Sequence, residues 1–258
     1  MYMTTHEESV HRQFDPQAQA YLNSAVHAQG PDLRAAHERV ARTLSGQSAG
    51  LDLGCGAGHL SFALAPAVVR MVAADPSASM LATVAQAAHA RGLAQVETAQ
   101  THAESLPFQA AAFSFVASRY SAHHWRDVPA ALREAHRVTA PGGYLLMIDV
   151  IGPADPLVDT HFQTLELLRD TSHVRDYSDR EWRAMLADAG YAVLDEQSWP
   201  VRLEFASWVQ RIRTPMANVS MIRTLQQGAS SEVSAALAYE EDGSFTMRTG
   251  MYWCQRCD

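Results

Sequence analysis

The chain has 258 residues, 47% of them apolar, with 28 acidic residues against 20 basic ones and a formal charge of −8. That length suits one large domain with an appended helical cap, and an acidic chain without a Lys/Arg cluster argues against nucleic-acid binding. No apolar run approaches the roughly 20 residues that span a membrane, no signal peptide is readable, and three cysteines make no disulfide framework, so a cytoplasmic protein is expected.

Residues 1–46 read as a helical lid, with the main domain over 47–258. "AQAYLNSAVHAQG" is an expected helix ending at Gly30. "PDLRAAHERVARTL" opens with Pro31 at a helix-compatible first position and puts Leu33, Ala36, Val40, Ala41 and Leu44 on one face. From Ala49 the pattern changes to short β-rich runs: "AGLDLG", "VVRMVAAD", "AQVETAQ", "AFSFVASR" and "GGYLLMIDV". Helical faces lie between them, one carrying Met80, Leu81, Val84, Ala87 and Ala88, another Val128, Ala131, Leu132, Ala135 and Val138. "IGPADP" is a turn-rich connector to a helix over 157–169. Ser178 and Glu181 form a capping box for the helix that Gly190 stops. "YAVLDEQSW" then reads as a strand, residues 204–241 as largely helical with Thr214-Pro215 as a start signal, and "SFTMRTGMYWCQ" as a last strand. Strand–helix alternation implies an α/β fold with a parallel sheet covered on both faces and ligands at the carboxyl ends of its strands.

"LDLGCGAGHL" places Gly54, Gly56 and Gly58 directly after the first strand. A dinucleotide fingerprint wants G-x-G-x-x-G, and His59 stands where its third glycine belongs. A phosphate loop needs a Gly-Lys-Ser/Thr ending, and no lysine follows. A third reading needs no phosphate. The bare backbone presses on an aliphatic chain, the next helix N-terminus favours a carboxylate, Asp52 accepts from an ammonium group, and Asp75 at the next strand end accepts from two ribose hydroxyls. An amino acid joined to a ribose is S-adenosylmethionine.

From Gln47 to Val150 the pieces "LDLGCGAGHLS", "VAADPSASML", "HAESLPF", "FSFVASRYSAHHW" and "REAHRVTAPGGYLLMIDV" resemble, in order and spacing, the class I S-adenosylmethionine-dependent methyltransferases of the ubiquinone/menaquinone-biosynthesis-like branch. The resemblance implies a Rossmann-like, doubly wound, mostly parallel seven-stranded sheet with a helical cap from the N-terminus and residues 152–241. It implies S-adenosylmethionine as cofactor, S-adenosylhomocysteine as product and a small-molecule methyl acceptor. Gly54, Cys55, Gly56 and Ala57 would line the methionine part, with Asp75 on the ribose, and Pro76 and Met80 would flank the adenine. Ala103 would offer its amide, and Glu104 would sit at the adenine edge. Family members often carry an Asp before that Ala-Glu pair to accept from the adenine amine, and here the residue is His102. "RQFDPQAQAYL" resembles the family's N-terminal segment, which makes Phe14 and Tyr21 a lid over the cofactor.

"RYSAHHW" follows the fourth strand and brings Arg119, Tyr120, Ser121, His123 and His124 to the crevice, with Arg119 assigned to the cofactor. His123 and His124 are the candidate bases, since imidazole suits proton transfer near neutral pH. His173 and Tyr177, in "LRDTSHVRDYS", are candidates from the acceptor side. No metal is expected, because the sequence shows no grouped ligand set. Cys254 and Cys257 have zinc-knuckle spacing without a second pair. Cap residues Phe162, Trp182, Trp208, Met216 and Met221 suggest a partly apolar or aromatic acceptor. A cofactor-binding protein without turnover and a nicotinamide-dependent oxidoreductase stand as alternatives, and monomer and homodimer are both open.

Overall fold

A computed structural model of the chain describes residues 5–18, 22, 30–44 and 46–258. The helix expected over 18–30 lies almost wholly outside the described residues, and so does Tyr21. Seven strands, β1 (Ala49–Leu53), β2 (Arg70–Asp75), β3 (Val96–Gln100), β4 (Phe113–Arg119), β5 (Thr139–Ile151), β6 (Tyr191–Leu203) and β7 (Phe245–Arg256), form one sheet in the order β3-β2-β1-β4-β5-β7-β6. The pairs from β3 through β5 are parallel, and β7 inserts antiparallel between β5 and β6. The order reverses at β1, so β1 and β4 run side by side with their connections leaving in opposite directions. The carboxyl ends of β1 and β4 therefore open a crevice between them.

Period-two alternation builds two cores. Leu51, Leu53, Val116, Leu145 and Met147 face α5 (Val128–Val138) and α7 (Asp179–Asp188). Met71, Phe115, Ala117, Leu146 and Ile148 face α2 (Pro31–Thr43) and α3 (His59–Leu64). The face of α4 (Ala78–Ala90) packs through Leu81, Val84 and Ala87 on Ala73. α7 starts at the Ser178/Glu181 capping box, as the sequence indicates. β5 and β6 each run longer than their apolar patterns suggest, because the twelve-residue β7 pairs with both along its length.

Further helices among the described residues are α1 (His6–Phe14), α6 (Pro156–Arg169), α8 (Phe205–Arg211), α9 (Met216–Gln227) and α10 (Ser231–Ala236). A third core, with Phe162, Leu165, Phe205, Trp208, Ile222 and Phe245, joins α6 and α8–α10 to the start of β7. Phe162 and Trp208 belong to this cap core and Trp182 to the core that α5 and α7 cover; all three are fully buried, whereas Met216 and Met221 face outward. No helix among the described residues is long and apolar enough to cross a membrane.

Candidate active site

Past the carboxyl ends of β1, β2 and β4 lies a cavity of about 670 Å³. Its floor is the turn after β1. Gly54, Gly56 and Gly58 have φ of 66°, 49° and 87°, the left-handed region that glycine enters without penalty. A Cβ on Gly54 would collide with the Ser121 hydroxyl, while a Cβ on Gly56 would meet nothing within 4 Å. Gly56 therefore presents bare backbone to open space.

Asp75 ties this turn to the next one. Its Oδ2 accepts from the Gly56 amide and its Oδ1 from the Ser77 amide, both at 2.9 Å. Burial raises its pKa, against the pull of those two amides. Asp52 is fully buried, with Oδ2 accepting from Ser61 Oγ at 2.6 Å and Oδ1 without a hydrogen-bond partner among the described residues. Burial pushes its carboxyl up to about 7. Arg119 Nε donates to the buried carboxylate of Asp32 at 2.5 Å, and its guanidinium lies 4.6 Å from the Tyr120 ring centre. Tyr120 itself sits at φ 51°, a strained position for a bulky residue, held by its amide on Ile148 O and its hydroxyl against Thr249 Oγ1.

Helix α1 lies against the cavity and contributes His6, Glu7, Val10, His11 and Phe14 to its wall. Three contacts hold it there. His6 Nε2 donates to His124 O at 2.9 Å, Ser77 Oγ donates to Asp15 Oδ1 at 2.5 Å, and Gln13 Nε2 donates to Ile212 O at 2.7 Å.

Beside the cavity three histidines meet. His124 lines it, with Nδ1 3.1 Å from Ser172 O. A carbonyl only accepts, so Nδ1 carries the proton and Nε2 keeps its lone pair. Burial and then the neighbouring His123 charge push the His124 pKa down to about 4. His123, its ring centre 4.3 Å away, donates from Nδ1 to Asp149 Oδ1 at 2.6 Å. Burial opposes its charge, but Asp149 outweighs that and lifts it to about 9. His173 is buried behind them, donating from Nε2 to Gln163 Oε1 at 2.9 Å, and burial pushes it down to about 3. The Val174 and Arg175 amides both donate to His123 O, pinning the 170–177 segment to the pair.

A methyltransferase domain model matches residues 51–147. Uncharacterized protein YafE of Escherichia coli (strain K12) is 51% identical over 189 residues, 73% of this chain and 91% of that protein. Uncharacterized methyltransferase YcgJ of Bacillus subtilis (strain 168) is 35% identical over 223 residues, 85% of this chain and 86% of that one. The crystal structure of YcgJ superposes with a TM-score of 0.84 over 88% of this chain and 98% of its own. A demethylmenaquinone methyltransferase of Geobacillus kaustophilus is 32% identical over 158 residues, 57% of this chain and 65% of that protein. The chain belongs to the class I S-adenosylmethionine-dependent methyltransferases.

The cofactor of this methyltransferase is S-adenosylmethionine, and the cavity suits it: bare glycine backbone, a buried carboxylate oxygen at Asp52 with no partner, and a strand-end carboxylate at Asp75. Phe14, Asp52, Gly54, Cys55, Gly56, Ala57, Asp75, Pro76, Met80, His102, Ala103, Glu104 and Arg119 all line it. Two of these side chains also have protein partners. Glu104 Oε1 accepts from the Arg126 amide at 3.1 Å, so its carboxylate is engaged by a loop. Arg119 Nε donates to Asp32.

Among the acceptor-side candidates only His124 lines the cavity among the described residues. His123 stands behind it. His173 is buried against Gln163, and Tyr177 packs edge-on against Trp182, with ring centres 5.8 Å apart. No described residue beyond Asp127 lines the cavity, so the cap acts on it through Ser172 and the 170–177 segment. Asp149 and Asp176 join this site through tertiary folding. Asp149 lies two residues before the end of the apolar strand β5, a position close to the strand-end one that marks Asp75. Asp176 has no such mark and becomes visible only when its segment folds onto His123. His123 Nδ1 and one oxygen each of Asp149 and Asp176 lie within 4.8 Å of one another, a grouping that the sequence does not display. The 2.6 Å contact from His123 to Asp149 has the length of a charge-assisted hydrogen bond.

Proposed function

We propose that this protein methylates a hydroxyl or amine of a small, partly apolar acceptor, with His124 receiving the proton that the acceptor loses. The observation that carries this reading is His124 itself. It lines the cavity, its Nδ1–H is committed to Ser172 O, and its low pKa leaves the ring neutral at neutral pH, with the lone pair on Nε2. The cofactor, when bound, supplies a methyl group already activated by its sulfonium. The chain's task is then to align the acceptor and take its proton.

In this reading Gly54, Cys55, Gly56 and Ala57 line the methionine part, and Asp52 Oδ1 accepts from its ammonium group. Asp75 holds the ribose hydroxyls, Pro76 and Met80 enclose the adenine, and the Ala103 amide faces its edge. Arg119, fixed by Asp32, supplies positive charge toward the cofactor's carboxylate. Phe14 closes the cavity over His124, whose ring centre is 5.0 Å from its own. Phe14, Tyr120 and Trp125 give the acceptor an apolar surface beside the base. His123 and Asp149 are positioning residues, and His173, with Gln163 and Asp176, steadies them from behind.

Incubation with methyl-labelled cofactor and fractionated metabolite extract tests the reading. Label in a small molecule, lost in His124→Ala with S-adenosylhomocysteine affinity retained, supports it. Tight S-adenosylhomocysteine binding with no transfer to any fraction would favour a sensor or scaffold instead.

A further inference from the structure

We infer that Glu7, carried on the N-terminal helix, recognises the adenine amine of the cofactor, so that adenine selection and docking of the helix are one event. The inference rests on the cofactor placement given above. An exocyclic amine is a donor and needs an acceptor. At the position where the resemblance would place an acceptor Asp stands His102, and its Nε2 lies 3.2 Å from Glu7 Oε1. His102 neighbours Ala103 in the wall, and Glu7 lines the same cavity. The helix thus brings a carboxylate to the place where the main domain lacks one.

The other acids of the cavity wall have protein partners already, and in the placement above Asp52 and Asp75 serve the ammonium group and the ribose. Asp52 accepts from Ser61, and Asp75 from the Gly56 and Ser77 amides. Glu104 accepts from the Arg126 amide, and Asp127 caps α5 through the Ala130 amide. Among the described residues, the side chain of Glu7 meets the rings of His102 and, at 3.8 Å, His11. A carboxylate accepts about four hydrogen bonds, so Glu7 keeps capacity for the amine while His102 orients it. The Asp15–Ser77 and His6–His124 contacts fix the helix on either side of this point.

A base with a carbonyl in place of the amine would set acceptor against acceptor at Glu7 and be rejected. Calorimetry with S-adenosylhomocysteine and its deaminated analogue, S-inosylhomocysteine, reads this directly. The wild-type protein is expected to prefer the adenosyl ligand by about tenfold or more, the range of a hydrogen bond to a charged group. Glu7→Gln, whose amide can turn to suit either base, should shrink the preference to within about threefold, and Glu7→Ala should lower adenosyl affinity while also losing the preference. Circular dichroism confirms that both variants are folded. An equal preference in wild type and Glu7→Gln overturns the assignment while leaving the cofactor site intact. Failure of the wild-type protein to bind S-adenosylhomocysteine overturns both.

Discussion

His123 and His124 are chemically identical neighbours that the fold drives apart. Asp149 lifts one to about 9, while burial and the first ring's charge push the other to about 4. Such divergence assigns roles, the neutral ring as base and the charged ring as its orienting partner. The His124→Ala variant should lose about a hundredfold or more in kcat, the usual worth of a positioned base, with S-adenosylhomocysteine affinity unchanged by calorimetry. The acid limb of the kcat–pH profile should fall near 4, where His124 protonates. In Asp149→Asn, His123 becomes neutral at neutral pH, and that limb should move up. Stability carries the same signature. The folded pKa of His123 is raised above the unfolded value near 6.5, so its contribution, about 3 kcal/mol, is complete below 6.5 and is lost as pH rises through about 9. Denaturant melts of wild type and Asp149→Asn from pH 6 to 10 should converge toward the alkaline end. The histidine pair was legible as a pair, because two imidazoles just after a buried strand must lie near the crevice. Its division of labour was not legible. That depends on Asp149, 26 residues on, and on the 170–177 segment, which touch the pair only through tertiary folding.

The elements that carry local signals were the most readable. The Ser178/Glu181 box, the glycine turn and the strand ending at Asp75 each reflect short-range backbone chemistry, and each stands where the residues indicate. The cap was harder, because helical spacing of aromatics does not say whether a face meets a pocket or another helix. Here it meets other helices: Trp208 packs edge-on against Phe245, ring centres 4.9 Å apart, with Arg169 over its face. Trp208→Ala should therefore cost about 4 kcal/mol of stability, seen in a denaturant melt, while the S-adenosylhomocysteine affinity of the folded fraction stays within about twofold. At the other side of the sheet, Asp32 ties the start of α2 to the end of β4 through Arg119. Asp32→Ala removes the carboxylate from a buried guanidinium and should destabilise the protein by about 3 kcal/mol. It should also weaken cofactor binding, since Arg119 loses its fixed orientation.

For the molecule as a whole, the sheet order makes the site. The reversal between β1 and β4 brings the glycine turn, Asp75 and the histidine pair to one opening, and the antiparallel β7 closes the far half of the sheet as a platform for the cap. Alternating strands and helices made the doubly wound sheet readable in advance. The insertion of the last strand between β5 and β6 has no local mark in "SFTMRTGMYWCQ" beyond its β pattern. The central claim is that the opening binds S-adenosylmethionine through Asp75 and the turn that Asp75 holds. The most direct measurement is calorimetric titration of S-adenosylhomocysteine into the wild-type protein and Asp75→Ala. One-to-one binding to the wild type, weakened about a hundredfold or more in the variant, is expected from the loss of two hydrogen bonds to a charged group. Equal affinities for the two proteins would contradict the account.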